Sequence, residues 1–433
     1  MNLRGISKTY SILLIAILAT AVVVTGISLQ ISRPTIQQLP ETWPEILVQA
    51  REQGSLSIFI EDELEVDNFL KSDVVPQFEQ EFGISVEIEV GHWSGITQRL
   101  LTERLGGRSS GIFDVVILGD EAMGRALDSN VLFDESSRRI ERAQDIEEIF
   151  KEGVSGISND GSVITIWIDQ YVIVANTNLI EADDLPDDLA DLIELLVEED
   201  EDDEDDELPE KSEAMEDDEL EIDDDQLCLS DPLDDVAGVA MLMVVVTAEK
   251  PDLYGFRPYD KSLEAEWIEA LGFEIEDEPE AEEFGEEEAE EMDDELLEAI
   301  LEQECSIGHG AYGLILAEVI EDGSLPDEIV VYLPEEGTMV SGGHSAIPFN
   351  APNKEAGLIF LDFLLSDSVQ FDLVEELGKY PSIATIGDDS LPSSVTGSGV
   401  WIPRDHVRQH WVPWPHFQYR VDLLDLWRGL SGD

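Results

Sequence analysis

Apolar and polar positions along this chain change period several times, and each change marks an element. Ser55–Ile60 is an apolar run with the length of a buried strand. Val66–Phe82 carries Phe69, Leu70, Val74, Phe78 and Phe82 at helical spacing, with Pro76 expected to bend the helix and Gly83 to end it. Ile84, Val86, Ile88 and Val90 then alternate with polar residues, the period of a half-buried strand. Ile96–Leu105 predicts a short helix and Phe113–Leu118 an apolar strand. Strand, helix, strand, helix, strand in this order predicts an α/β chain with a doubly wound sheet. Further on, Gly161–Asn178 holds a long apolar run, and Cys305–Glu318 reads as a strand leading into a helix. Ile329–Leu333 and Ser345–Phe349 are two short strands, with a turn bracketed by Pro334 and Gly337 after the first. Ala356, Ile359, Phe360, Phe363 and Leu364 define a helix that Asn353 is placed to cap, with Asp362 on its opposite face. Ser366 is placed to cap the next helix, which stops at Gly378 before Pro381.

Two stretches break this pattern. Ser11–Ile31 is almost wholly apolar and, at about 20 residues, long enough to span a bilayer. Arg4 and Lys8 precede it, which favours the N-terminus inside and the bulk outside. A cleaved signal peptide is the competing reading. No convincing small-residue site follows Val24, so an uncleaved anchor is favoured for residues 1–34, with 35–54 as a tether. Neither cysteine, Cys228 or Cys305, follows the apolar run, which excludes a lipid anchor there; whether the two pair is left open. The second break is acidic. Residues 198–226 and 274–298 are dominated by Asp and Glu, and runs of like charge do not build a core. The first reads as a disordered or salt-solvated loop, and the second ends in a segment of helical pattern, Leu296–Leu301. Calcium binding is the functional alternative, although no EF-hand spacing is visible.

Charge extends that picture to the whole chain. There are 100 Asp and Glu against 23 Lys and Arg, a formal net charge of −77. Self-repulsion at this density is severe in dilute buffer, and molar salt shortens the Debye length to about 3 Å. Adaptation to brine is the simplest reading, with a dedicated cation sponge as its rival. A nucleic-acid partner is excluded for want of a basic patch.

Candidate chemistry follows from the sheet. In open α/β sheets ligands bind beyond the carboxyl ends of the strands. That rule selects loops at Glu61 and Asp62, at Trp93, Ser94 and Gly95, and at Asp120. Trp93 beside a hydroxyl and free amides suits a small polar ligand; the plainer alternative is a surface loop with one half-buried Trp. Trp167, Asp169 and Tyr171 alternate, so they share one face of a strand. Gly308 and Gly310 beside Tyr312 allow close backbone approach to a ligand, or form a plain turn. Thr338–His344 is Ser/Thr- and Gly-rich with one histidine, a further candidate loop. His406 and His410 stand at i, i+4, but Pro413 and Pro415 interrupt the helix they need and no third ligand is spaced to join them, so no metal site is assigned.

Several motifs carry a resemblance. Leu-Pro-Glu-Glu-Gly-Thr at 333–338, Ala-Ile-Pro-Phe-Asn-Ala-Pro-Asn-Lys-Glu-Ala at 346–356 and Phe-Leu-Leu-Ser at 363–366 followed by Gln370 resemble the late segment of extracellular solute-binding proteins of ABC importers. Phe-Glu-Gln-Glu-Phe-Gly-Ile-Ser-Val at 78–86 and Phe-Asp-Val-Val-Ile at 113–117 are similar to that family's first lobe. Residues 164–177 resemble its first crossing between lobes, and 230–238 a turn before a helix that faces the cleft. The resemblance implies a two-lobed, type II periplasmic-binding fold, each lobe a doubly wound sheet, with a hinge between them. It divides the chain into lobe one at 55–168, lobe two at 169–331, and a return to lobe one with a C-terminal tail at 332–433. It implies no cofactor, and the partners it implies are a small solute, an ABC permease and its ATPase subunits. It places Trp93, Ser94, Gly95, Asp120, Trp167, Asp169, Tyr171, Tyr312, Thr338 and His344 in or near a ligand cleft. Aromatic rings beside Asp120 and Asp169 suit an organic cation, thiamine-like or polyamine-like. A surface enzyme is the second hypothesis, but no nucleophile elbow, P-loop or His-Glu-x-x-His supports it. An acidic cation-binding surface protein is the third, and it leaves the ordered βα units at both ends unexplained.

Overall fold

The computed structural model describes residues 42–64, 66–147, 154, 157, 161–180, 185, 227–229, 296–301, 303, 305–322, 325–326, 328–334, 337–409 and 411–412. The apolar run at 11–31, both long acidic stretches up to residue 295, and the 230–238 motif lie outside them.

β1 (Ser55–Glu61) pairs in parallel with β2 (Ser85–Gly91) on one side and β3 (Val115–Leu118) on the other. Successive residues of β1 serve two different cores, as the two-residue period of a strand requires. Ile58 and Ile60 join Phe78 and the helix Lys354–Leu364 on one face; Phe59 joins Ile96, Leu100, Phe113 and Met123 on the other. β2 is the partly exposed edge, alternating as its sequence does. The helical stretch after β1 is not uniform. Asp67–Phe69 is α-helical, Leu70–Val74 forms a π turn, and Val75–Phe82 resumes the α-helix. The wide turn stands immediately before Pro76, whose missing N–H interrupts the regular ladder.

β4 (Val163–Asn176) is the longest described strand and changes partners along its length. All fourteen residues are buried. Its first part, to Gln170, pairs antiparallel with β8 (Thr338–Ala346), and Trp167 and Ile168 also meet β9 (Tyr380–Pro381). From Tyr171 onward it pairs instead with β6 (Ile307–Ala311) and β7 (Ile329–Tyr332). β5 (Leu227–Leu229) lies parallel to β6, and β10 (Trp411–Val412) parallel to the start of β8. The sheet order is therefore β2-β1-β3-β8-β4-β6-β5, with the change of partners falling between Gln170 and Tyr171. Cys305, just before β6, is in a disulfide, and the sequence holds one other cysteine, Cys228 in β5.

Several local expectations need correction. The segment Thr338–His344 is not a loop; it is most of β8, and the strand ends at Ala346 instead of starting at Ser345. Its glycines answer a packing need: a Cβ on Gly343 would lie 1.9 Å from the Trp167 ring. Trp93–Gly95 is the first turn of the helix Trp93–Leu105, since the ring nitrogen of His92 accepts from the Ser94 amide at 3.3 Å. Asn353 stands at the N-cap of the 354–364 helix without capping it. Its side-chain amide donates to the Asp114 carboxylate at 3.1 Å. Ser366 likewise stands at an N-cap without a capping bond. Asp362 is buried, because Arg142 covers the face expected to meet solvent. Gly378 ends the helix Asp367–Leu377 at φ 63°, as expected.

Candidate functional site

The carboxyl ends of β1, β2 and β3 carry Glu61, His92 and Asp120. Glu61 is buried and accepts the Gly119 amide at 2.7 Å, tying the end of β1 to the end of β3. Asp120 opens the helix Asp120–Asp128, where a carboxylate is favoured by the helix dipole. Across the sheet, Leu118 of β3 faces His344 of β8, and His344 faces Thr165 of β4. That register brings the His344 ring under Asp120. Nε2 lies 2.7 Å from Oδ1 of Asp120, and Nδ1 lies 3.0 Å from the Thr165 hydroxyl. The Gly342 amide donates to both Asp120 oxygens at 3.2 and 3.3 Å. Side-chain exposure is 18% for Asp120 and 0% for His344. No Lys or Arg among the described residues pairs with this carboxylate.

Trp93 is half-buried one strand away. The Arg125 guanidinium lies 5.0 Å from its ring centre, and the His92 ring lies 5.4 Å away, tilted by 33°. Arg125 also pairs with Glu121 at 2.6 Å. The ring therefore already holds a cation of the protein. Ser94 bonds His92 at 2.9 Å, and Gly95 is exposed.

The other expected site residues are enclosed. Trp167 is 3% exposed in the core, against Gly343. Asp169 is buried and accepts the amides of Gln170 and Gly313, each at 2.9 Å, with the Lys379 ammonium 3.3 Å away. Burial pushes its carboxyl up, while Lys379 and the two amides pull it back. Tyr171 stacks on His309 at 5.8 Å, and its backbone N–H donates to the Thr338 hydroxyl at 3.0 Å. Thr338 in turn donates to the Tyr171 carbonyl at 2.6 Å, so the pair fastens β8 to β4 where β4 changes partners. Tyr312 is fully buried; its hydroxyl donates to the Val400 carbonyl at 3.0 Å and accepts the Ile402 amide at 2.9 Å. The structure thus gathers Trp93 with Ser94, Asp120 with His344, Tyr171 with Thr338, and Trp167 with Gly343, in four separate places. It adds Thr165, Arg125 and Lys379, which sequence reasoning did not single out, and picks Gly342 out of the candidate segment Thr338–His344. Only the strand register could have found Thr165.

Among the described residues no group of three potential metal ligands forms, and no helix is long and apolar enough to cross a membrane. In the tail, Trp401 stacks on Tyr380 at 4.8 Å, and His410 lies outside the described residues.

No protein-family model matches the chain, and no curated protein matches it. Solved structures do. The spermidine/putrescine ABC transporter substrate-binding protein PotD from Streptococcus pneumoniae is 14% identical, with 87% of this chain and 98% of that one covered at a TM-score of 0.58. Iron-bound HitA from Pseudomonas aeruginosa is 15% identical, covering 87% and 97% at 0.52. FutA of Trichodesmium, with iron and citrate, is 15% identical, covering 88% and 99% at 0.52. The chain has the α/β, type II periplasmic-binding-protein-like fold.

Proposed function

We propose that this chain is the solute-binding receptor of an ABC importer and that its solute is an organic cation of the polyamine class. The observation that carries the reading is Asp120, a partly exposed carboxylate at the carboxyl end of β3 that the Gly342 amide and the His344 ring hold on one side and that no described Lys or Arg pairs with. Every described Lys and Arg, by contrast, already has a contact within the protein. An anionic solute would meet the Asp120 carboxylate and, among the described residues, no Lys or Arg without a contact of its own. A cation would meet a charge held in place. The naming of PotD for spermidine and putrescine supports the same class.

In this reading lobe one comprises 55–168 and the return from 332, and lobe two comprises 169–331. They turn about the Gln170–Tyr171 step of β4 and the β7–β8 connection. The solute favours the closed form because it touches both lobes only there. A disulfide at Cys305 suits an oxidising compartment outside the cytosol. The apolar 11–31 segment serves as the anchor, and the −77 charge as adaptation to strong salt.

Thermal unfolding of the full chain in molar KCl, against spermidine, putrescine, thiamine, citrate and phosphate, tests this. A cation at 100 times its dissociation constant adds about 2.7 kcal/mol and raises Tm. A shift from citrate or phosphate with none from the cations would sink the proposal.

A further inference from the structure

His344 had the marks of a ligand contact in the sequence, yet its side chain is fully buried. It touches two things, and both are informative. A carboxylate only accepts, so the proton between Nε2 and Asp120 belongs to the ring. In the neutral ring Nδ1 is then the acceptor, and the Thr165 hydroxyl donates to it. In this state Asp120 keeps its full negative charge and is oriented by two neutral donors, the ring and the Gly342 amide. A second proton can enter only at Nδ1. The Thr165 hydroxyl must then turn to accept, and the ring becomes a cation 2.7 Å from the Asp120 oxygen. An imidazolium there does what a bound cation would do: it neutralises Asp120.

Among the described residues, the charged group bonded to the ring is Asp120. Asp120 faces it from the 120–128 helix. Leu118 on β3, Thr165 on β4, Gly342 on β8 and Val154 nearby carry no charge. Nothing else among the described residues competes for the ring's charge.

We propose that His344 is a positioning residue that sets the charge Asp120 presents, so that a cationic solute binds to the neutral-ring form and is released when the ring takes a proton. The proposal rests on the polyamine reading of the same site and adds its regulation. Solute and proton are alternative partners of one carboxylate, so binding of either weakens the other by the same factor. Because β8 and β4 both hold the ring, the proton also acts on the strand that joins the two halves.

The test measures spermidine affinity of the full chain by calorimetry in molar KCl from about pH 5.5 to 8, the range in which histidine changes charge. Ring-labelled histidine is followed by NMR in the same samples. The expected result is affinity about tenfold or more weaker at the acid end, tracking the His344 ring signal, with the neutral ring protonated on Nε2. His344→Gln keeps a donor for Asp120 but cannot take the charge. It should bind several-fold more weakly near pH 8 and show a flat profile. Asp120→Asn should shift the titration of the His344 ring. A wild-type profile that stays flat while His344 titrates overturns the proposal. So does a His344→Gln profile as steep as the wild type, or a ring whose neutral form carries its proton on Nδ1. If spermidine binds at no pH, the solute reading falls. The ring titration in Asp120→Asn then decides separately whether the two groups are coupled.

Discussion

Two carboxylates in this molecule are built from the same three parts and used in opposite ways. Asp120 has a glycine amide, Gly342, and a titratable base, His344; Asp169 has a glycine amide, Gly313, and a base, Lys379. At Asp120 the base is fully buried and the acid is 18% exposed. At Asp169 the order reverses, with the acid 9% and the lysine 16% exposed. Lysine is charged at neutral pH and cancels the acid permanently, which makes Asp169 a joint. It fastens β4 to the start of the helix Tyr312–Asp322, where a Cβ on Gly313 would lie 2.4 Å from the carboxylate. Histidine is uncharged over much of the pH range and leaves its acid negative. The partner's chemistry, more than the acid's position, separates the proposed docking charge from a structural one.

Substitution at each acid separates these roles. Asp169→Ala leaves Lys379 and the Gly313 amide without their acceptor, and should cost about 3 kcal/mol, read as a lower denaturation midpoint at unchanged m-value. Asp120→Asn should cost less than about 1 kcal/mol of stability, because the amide oxygen still accepts from Gly342 and His344. Its effect falls on binding: polyamine affinity should drop about 10- to 100-fold by calorimetry, the loss of one charge-assisted contact. If Asp169→Ala folds as well as the wild type but binds no polyamine, the assignments of joint and site are the wrong way round.

Much of this contrast was closed to sequence reasoning. The βα units up to Leu118 were legible because their periods are local, and so was the strand at 163–176. The pairs on which the proposed function and the joint rest are not local. Asp120 and His344 are 224 residues apart, and Asp169 and Lys379 are 210 apart. Nothing in either neighbourhood announces its partner. The Thr338–His344 segment misled for a physical reason: its glycines read as loop, yet Gly343 is where the Trp167 ring needs space inside a sheet. Trp167, Asp169 and Tyr171 do alternate along a strand, but both faces of that strand are covered, so alternation did not mean access.

A smaller effect sharpens the joint. Tyr312, at the start of the helix beside Asp169, holds the segment 400–402 through its hydroxyl. Tyr312→Phe keeps the ring in the core and leaves the Ile402 amide without that acceptor. The expected cost is about 1–2 kcal/mol, with faster amide exchange at Ile402 while polyamine affinity is unchanged. A loss of affinity here would mean that the tail reaches the site as well as the joint.

The smallest expected effect is a pH dependence at Asp169. Burial is the largest influence on Asp169 and raises its pKa above the ordinary 3.8, even though Lys379 and two amides oppose it. The folded protein therefore binds this proton more readily than the unfolded chain does. Stability contributed by the group is fully present below the unfolded value and is lost as pH rises through the folded one. Measured as wild type minus Asp169→Asn, so that the general repulsion of an acidic chain cancels, stability should tilt toward the wild type as pH falls from neutral toward 3.8. A difference of opposite slope would mean that Lys379 and the two amides outweigh burial. Asp169 would then be a charged ion pair of the exposed kind, and the contrast with Asp120 would shrink to one of position alone.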